Sequence, residues 1–305
     1  MKWFAPKEQA RDLSALDVET LALAGTLLVV GVLLAKLVDR VVCQFSLTPQ
    51  RLFSHSTRPL RLVYYLIAVY FLGAAMSSVF LTPHIRVSEP LLYGGVAAQL
   101  LIYTFLLLDR CRVICAALIV LLFGVASASD PSFILEYPLL LGLAWIILYA
   151  KDKPTVPTLR LIRLLMGVSL VTLAFTEKLN NPAMALALLE RHDFNFMASL
   201  GFNYSDPLFV YSAGVVELLL GLVLLTGWVT RLAVATLFSF MLATNAYFLA
   251  VGEYQMALVE FIGHLPIFAC GILLLFYHPT VALGRAGVNP RGGRATMSAA
   301  PGRLR

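Results

Sequence analysis

The sequence predicts an all-α, polytopic integral membrane protein with about nine transmembrane helices: one lead helix followed by two four-helix bundle repeats. Three observations predict it. Mean hydropathy is +0.84, with 60% hydrophobic and only 13% charged residues among 305, well outside the range of soluble globular chains. Apolar windows of about 17–22 residues, the length a helix needs to cross the hydrocarbon core, recur along the chain. Finally, two stretches resemble each other closely enough to be read as a repeat.

The windows fall at 20–41, 61–82, 90–108, 112–128, 134–150, 160–179, 207–227, 231–251 and 256–277, the fourth and fifth being short. Residues 1–19 mix both charge signs, and the apolar run after them is too long for a signal peptide, so it is expected to be a span. The tail RAGVNPRGGRATMSAAPGRLR is rich in Gly and Pro and is expected to be disordered. The units are then 1–60 with the lead helix, 61–157, 158–284, and a tail 285–305.

The net charge of +6 is better explained by topology than by nucleic acid. Arg40, Arg51, Arg58 and Arg61 follow the first window, Arg110 and Arg112 the third, Lys151, Lys153, Arg160 and Arg163 surround the link from fifth to sixth, and Arg231 follows the seventh. With the basic tail, all lie on one side, which the positive-inside rule makes cytoplasmic. The N-terminus is expected outside and the C-terminus in the cytoplasm of a cell membrane, expected to be a bacterial inner membrane. The four cysteines form no CxxC pair and no zinc-type spacing. Cys111 and Cys115, one turn apart, are read as packing residues, with redox use as the alternative.

The repeat sets RLVYYLIAVYFLGAAMSSVFLTP (61–83) over RLIRLLMGVSLVTLAFTEKLNNP (160–182), and GVAAQLLIYTFLLLDRCR (95–112) over GVVELLLGLVLLTGWVTR (214–231). KPTV (153–156) then lies over HPTV (278–281). The second unit carries roughly 20 extra residues between its first two spans, and their AMALALLERH segment has the pattern of a short amphipathic helix at the membrane surface.

In this register Glu177 faces Ser78, Lys178 faces Val79, Glu217 faces Ala98, Glu260 faces Leu135 and His264 faces Leu139. A slip of one residue pairs Glu217 with Gln99 and Glu260 with Glu136 instead. Helical rise places Glu177 and Glu260 roughly 3 to 8 Å from the outer ends of their spans, Asn245 roughly 9 Å, and Glu217 and His264 roughly 12 to 15 Å. A charged residue near a span's centre costs about 2.5–3.5 kcal/mol on insertion scales, and such residues usually face a partner in the bundle interior. Glu260 and His264 share a face as i and i+4, and Gly214 and Gly221 flank Glu217 with room for a backbone or a ligand. The same residues have plainer roles open to them. Glu177 and Lys178 fit a water-facing helix end, Glu217 and His264 fit polar helix pairing, and Arg160, Arg163 and Arg231 fit topology anchors.

At these residues the chain resembles the DoxX family of four-helix membrane proteins. That family's pattern pairs an Arg-led helix ending in Lys-Leu-x-x-Pro with a second helix carrying Glu, a Gly a turn later and a closing Thr-Arg. Here these are Arg163, Lys178, Leu179, Pro182, Glu217, Gly221, Thr230 and Arg231, within about 160–277. The family includes subunits linked to quinol oxidation and to thiosulfate:quinone oxidoreduction, and members that assist redox or biosynthetic enzymes. The resemblance therefore implies a membrane subunit of a quinone-linked redox system, a quinone-dependent oxidoreductase subunit with a membrane or peripheral redox partner.

On that expectation Glu217 and His264 contact a quinone head group while Glu260 and Glu177 link it to outside water and Lys178 offsets their charge. Glu217, His264 and Glu260 are then the catalytic candidates, and Glu177, Lys178, Asn245, Gly214 and Gly221 line the binding site. No flavin or nucleotide fingerprint, no Fe–S cysteine set, no metal site and no pair of deep histidines for a haem is present, so electrons are expected to pass through a partner. A transporter or channel for a small solute or proton, and a non-catalytic anchor for a partner enzyme, are the alternatives.

Overall fold

The computed structural model describes residues 25–26, 29–37, 58–150, 154–192 and 194–277. All regular structure among them is helical: α1 (Arg58–Met76), α2 (Glu89–Leu107), α3 (Arg112–Ser129), α4 (Phe133–Glu136), α5 (Leu139–Tyr149) and α6 (Val156–Ala174), which runs into a π-turn at Phe175–Leu179. There follow α7 (Ala183–His192), α8 (Phe196–Ser199), α9 (Asp206–Thr226), α10 (Thr230–Ala250) and α11 (Tyr254–Tyr277).

Proline marks several of the starts. Pro90, Pro157 and Pro207 occupy the first turn of α2, α6 and α9, where a missing N–H costs nothing and the fixed φ suits the helix. At α6 the Thr155 hydroxyl also accepts from the Thr158 N–H at 3.4 Å, a weak N-cap. Gly227, at φ 82°, ends α9 in the left-handed conformation that a side chain resists.

Seven of the helices are long and apolar enough to span a bilayer among the described residues, against nine expected. The fifth window accounts for one difference. Pro138 has no N–H to continue a helix, so the stretch breaks into the one-turn α4 and the eleven-residue α5, too short to cross. The lead window accounts for the other, since only part of it is described. Residues 29–37 are helical, with Gly31 against Leu219 of α9 and the Lys36 ammonium 5.6 Å from the Trp228 ring centre. The expected disorder of 285–305, and the cations Arg40, Arg51, Lys151 and Lys153, lie outside the described residues.

Within each half, neighbours in sequence pack together: α1 on α2, α2 on α3 and α3 on α5, then α6 on α9, α9 on α10 and α10 on α11. The halves are joined by their ends. The last helix, α11, packs along α1 and also touches α5 and α6, while α4 and α5 lie against α6. Gly73 of α1 makes this close, because a Cβ there would stand 2.8 Å from the Ile262 side chain of α11. One apolar core runs through both halves, including Ile67, Tyr70, Phe71, Ile119, Leu143, Met166, Leu265 and Leu273. Cys115 and Cys270 belong to it, whereas Cys111 is exposed, and all three are free thiols.

Candidate functional site

The site begins where α6 stops being an α-helix. Over Phe175–Leu179 the turn widens, with the Asn180 N–H donating to the Phe175 carbonyl five residues back at 2.8 Å. A wider turn narrows the angle between successive side chains, so the neighbours Glu177 and Lys178 are both buried. A water-facing helix end with a snorkelling lysine is thereby ruled out.

Lys178 reaches across to α9, where its ammonium donates to Glu217 in an ion pair. Two contacts hold α6 and α9 in register for it. Gly167 and Gly221 face each other so closely that a Cβ on Gly221 would lie 2.9 Å from the Val171 nitrogen, and one on Gly167 3.0 Å from the Gly221 carbonyl oxygen. At the other end of the pair, Arg163 Nη1 donates to the Leu224 carbonyl at 2.8 Å and so caps α9. The φ of 82° at Gly227 strains any other residue, and a Cβ there would also push that same nitrogen off the carbonyl. Arg163, expected as a topology anchor, thus has a structural task as well.

These contacts correct the reading of two glycines as ligand-facing. The space beside Gly221 is filled by the backbone of α6. That beside Gly214 is filled by Lys178 Cβ and Leu179, which would stand 3.0 and 2.9 Å from a side-chain Cβ at that position. Both glycines serve helix approach, Gly214 by letting the root of Lys178 pass. Asn245 is buried on α10 and donates to the Met241 carbonyl of its own helix at 2.9 Å.

On α11 the predicted i, i+4 pair forms: His264 Nε2 lies 3.2 Å from Glu260 Oε2. The exposures run opposite to the expected roles. Glu260, expected to lead to water, leaves only 5% of its side chain exposed, against 19% for His264 and 19% for Glu217. The two pairs are not separate. Lys178 lies in the fields of Glu217, Glu177 and Glu260, and His264 in those of Glu260, Glu177 and Lys178. Five ionisable groups from the π-turn, α9 and α11 therefore converge.

Such a cluster is costly to bury and gains little net stability, because desolvation of each ion offsets the attraction between them. Three carboxylates lie near one ammonium and one imidazole, an arrangement able to exchange protons or to hold a polar ligand. Hydrogen-bonding capacity is also left over. His264 Nδ1, Thr176 Oγ1 and Asn181 Oδ1 are sealed from the surface without a protein partner among the described residues. No group of three or more metal-ligating side chains forms among the described residues.

The inserted loop closes over this end of the bundle. AMALALLERH is helical as expected, and α7 packs on both the π-turn and α9. Beyond it, the Tyr247 hydroxyl of α10 donates to the His192 carbonyl, and Asn195 Nδ2 donates to the Tyr204 carbonyl and to Asp206 Oδ1, each at 2.8 Å. The Phe194 ring sits 4.6 Å from that of Tyr247, and the His192 ring 5.5 Å from that of Phe248.

Residues 158–250 match the DoxX family model. The DoxX-matching stretch holds Glu177, Lys178 and Glu217, together with the Arg163 cap and the glycine crossing, whereas Glu260 and His264 lie beyond it on α11. No curated protein and no solved structure matches the chain.

Proposed function

We propose that the C-terminal half binds the head group of a quinone or quinol beside the ion cluster and handles its protons, as the membrane subunit of a redox system. The observation that carries this is the convergence of Lys178, Glu217, Glu177, Glu260 and His264 inside a bundle of membrane-length helices. A quinone diffuses within the bilayer, and its two-electron interconversion with the quinol takes up or releases two protons.

The residues suit such a head group. Lys178 and the N–H of the His264 imidazole offer donors to a carbonyl oxygen, and Glu217 and Glu260 offer acceptors to a hydroxyl. The His264–Glu260 pair sets an imidazole nitrogen beside a carboxyl oxygen, two groups that can each give or take a proton. Electrons pass to a partner redox protein, and the cluster faces the outside of the membrane, in keeping with the distribution of Lys and Arg.

The test is oxidation of decylubiquinol by membranes containing the protein and by the purified protein with and without those membranes. Glu217→Gln keeps a hydrogen-bonding partner for Lys178 but removes the charge, and is expected to abolish quinol-dependent turnover with the fold intact. Unchanged turnover rejects the proposal.

A second reading, movement of a proton or small solute, is favoured by two helix irregularities beside the charges. Pro266 interrupts the hydrogen-bond ladder of α11 two residues after His264, and the π-turn interrupts α6 at Glu177. Proton flux into liposomes that is lost in His264→Gln, without any quinol dependence, would select this reading.

A further inference from the structure

The inserted segment sends its apolar residues to two destinations. In α7, Ala185 and Leu189 turn inward and form a small core with Val210 of α9, against which Leu186, Phe194 and Phe209 pack. Ala187, Glu190 and Arg191, spaced i, i+3 and i+4, make the exposed face of that helix. The apolar face expected to lie on the membrane surface is thus taken up within the protein.

Beyond α7 the chain does the opposite. The tip of the segment displays Phe196, Leu200 and Phe202, which are 48%, 69% and 58% exposed. From Phe194 to Ser205 no side chain carries a charge. A loop built for water seldom runs so far without one, since about a quarter of the residues in ordinary soluble domains are charged.

This tip is held in a defined shape. Buried Asn195 starts α8 by accepting from the Ala198 N–H at 3.1 Å, and its amide closes the neck of the loop on the Tyr204 carbonyl and Asp206. Inside the loop the Gly201 N–H donates to the Ala198 carbonyl at 2.9 Å and the Phe202 N–H to the Met197 carbonyl at 3.1 Å, with Gly201 at φ 87° making the reversal. Internal bonds of this kind let a loop approach hydrocarbon without stranding its backbone. The neck stands at the membrane boundary, because the membrane-length window of α9 begins at Asp206. The Phe196 ring meets that of Phe209, in the first turn of α9, edge-on at 5.1 Å, and the Tyr204 hydroxyl pairs with Ser212 of the same helix.

We propose that the tip formed by Phe196, Leu200 and Phe202 inserts into the lipid leaflet at this end of the bundle and anchors the inserted segment, so that α7 is held against the π-turn that carries Glu177 and Lys178. Aromatic and apolar side chains favour that interfacial zone, where rings meet acyl chains and polar neighbours meet head groups. Exposed Ser199 and Asn203 are the polar neighbours here. The lipid contact is independent of what the ion cluster binds.

Introduced tryptophans report the contact in the full-length protein, reconstituted into vesicles of phosphatidylcholine and phosphatidylglycerol, with the signal of the native chain subtracted. Leu200→Trp and Phe202→Trp replace exposed side chains and leave the neck intact, while Ala187→Trp puts the same reporter on the outward face of α7. Lipids brominated on the acyl chains near the head group are expected to cut the emission of both tip reporters at least ~2-fold, with little effect of iodide in the water, and the reverse is expected at Ala187→Trp. Tip reporters quenched by iodide and not by bromine overturn the lipid contact and make a partner protein the occupant of the patch. The anchoring role is read by hydrogen exchange in the same vesicles. The double variant Leu200→Asp with Phe202→Asp is expected to speed amide exchange across α7 by at least ~10-fold, and unchanged exchange there overturns that role.

Discussion

The two halves of the chain build the same local joint and fill it differently. In each, the second helix carries a glycine against a residue at or just past the end of the first: a Cβ on Gly95 would run into the ring of Phe80, four residues after α1, and one on Gly214 would lie 2.9 Å from Leu179, the last residue of the π-turn. These positions are set opposite one another by the sequence alignment. One turn on, the N-terminal half has buried Gln99, whose amide donates to the Val79 carbonyl at 2.9 Å, whereas the C-terminal half has Glu217 paired with Lys178. The neutral amide needs no counter-charge, although Gln99 Oε1 is left buried without a hydrogen-bond partner among the described residues. An ion pair with two further carboxylates nearby concentrates charge instead, which is costly to bury and suited to exchanging protons or meeting a polar ligand.

The sharpest way to break the comparison is to remove one ion. Lys178→Met leaves the half-buried Glu217 carboxylate without its cation and is expected to cost about 1–3 kcal/mol in thermal unfolding in detergent. Adding Glu217→Gln to it should recover most of that loss, since two neutral groups cost less to bury than one unpaired charge. Recovery below a quarter of the loss would mean that the pair is not coupled as described.

Effects of similar or smaller size sharpen the contrast in packing. Arg163→Gln removes the charged cap on the Leu224 carbonyl and is expected to destabilise by about 1.5–3 kcal/mol. Gly221→Ala drives a methyl group into the backbone of α6, at about 1–3 kcal/mol. Gly124 of α3, with nothing within 4 Å of a Cβ, should by contrast gain about 0.5–1 kcal/mol as Ala, by losing backbone freedom in the unfolded state. At the low end, Gln99→Leu forfeits one neutral hydrogen bond, about 1 kcal/mol, with no effect on ligand binding.

Much of the architecture was legible from apolar window length, since hydrocarbon thickness leaves a helix little choice. The fifth window misled because apolar length was weighed above Pro138, whose missing N–H ends the helix whatever its neighbours. At the site, i, i+4 spacing was enough to join Glu260 to His264, as both lie on one continuous helix. The Lys178–Glu217 pair was not foreseen, because straight-helix rise put Glu177, next to Lys178, at a different depth from Glu217 and said nothing of the long lysine stem or the π-turn that aims it inward.

The most direct test of a ligand site in the charged half is equilibrium binding of decylubiquinone to the purified full-length protein in nanodiscs. The account predicts saturable binding by the native chain, a loss of at least ~10-fold in affinity, about 1.4 kcal/mol, in Glu217→Gln, and native affinity in Gln99→Leu. Equal affinity in the native chain and Glu217→Gln, or no saturable binding by the native chain, would contradict it.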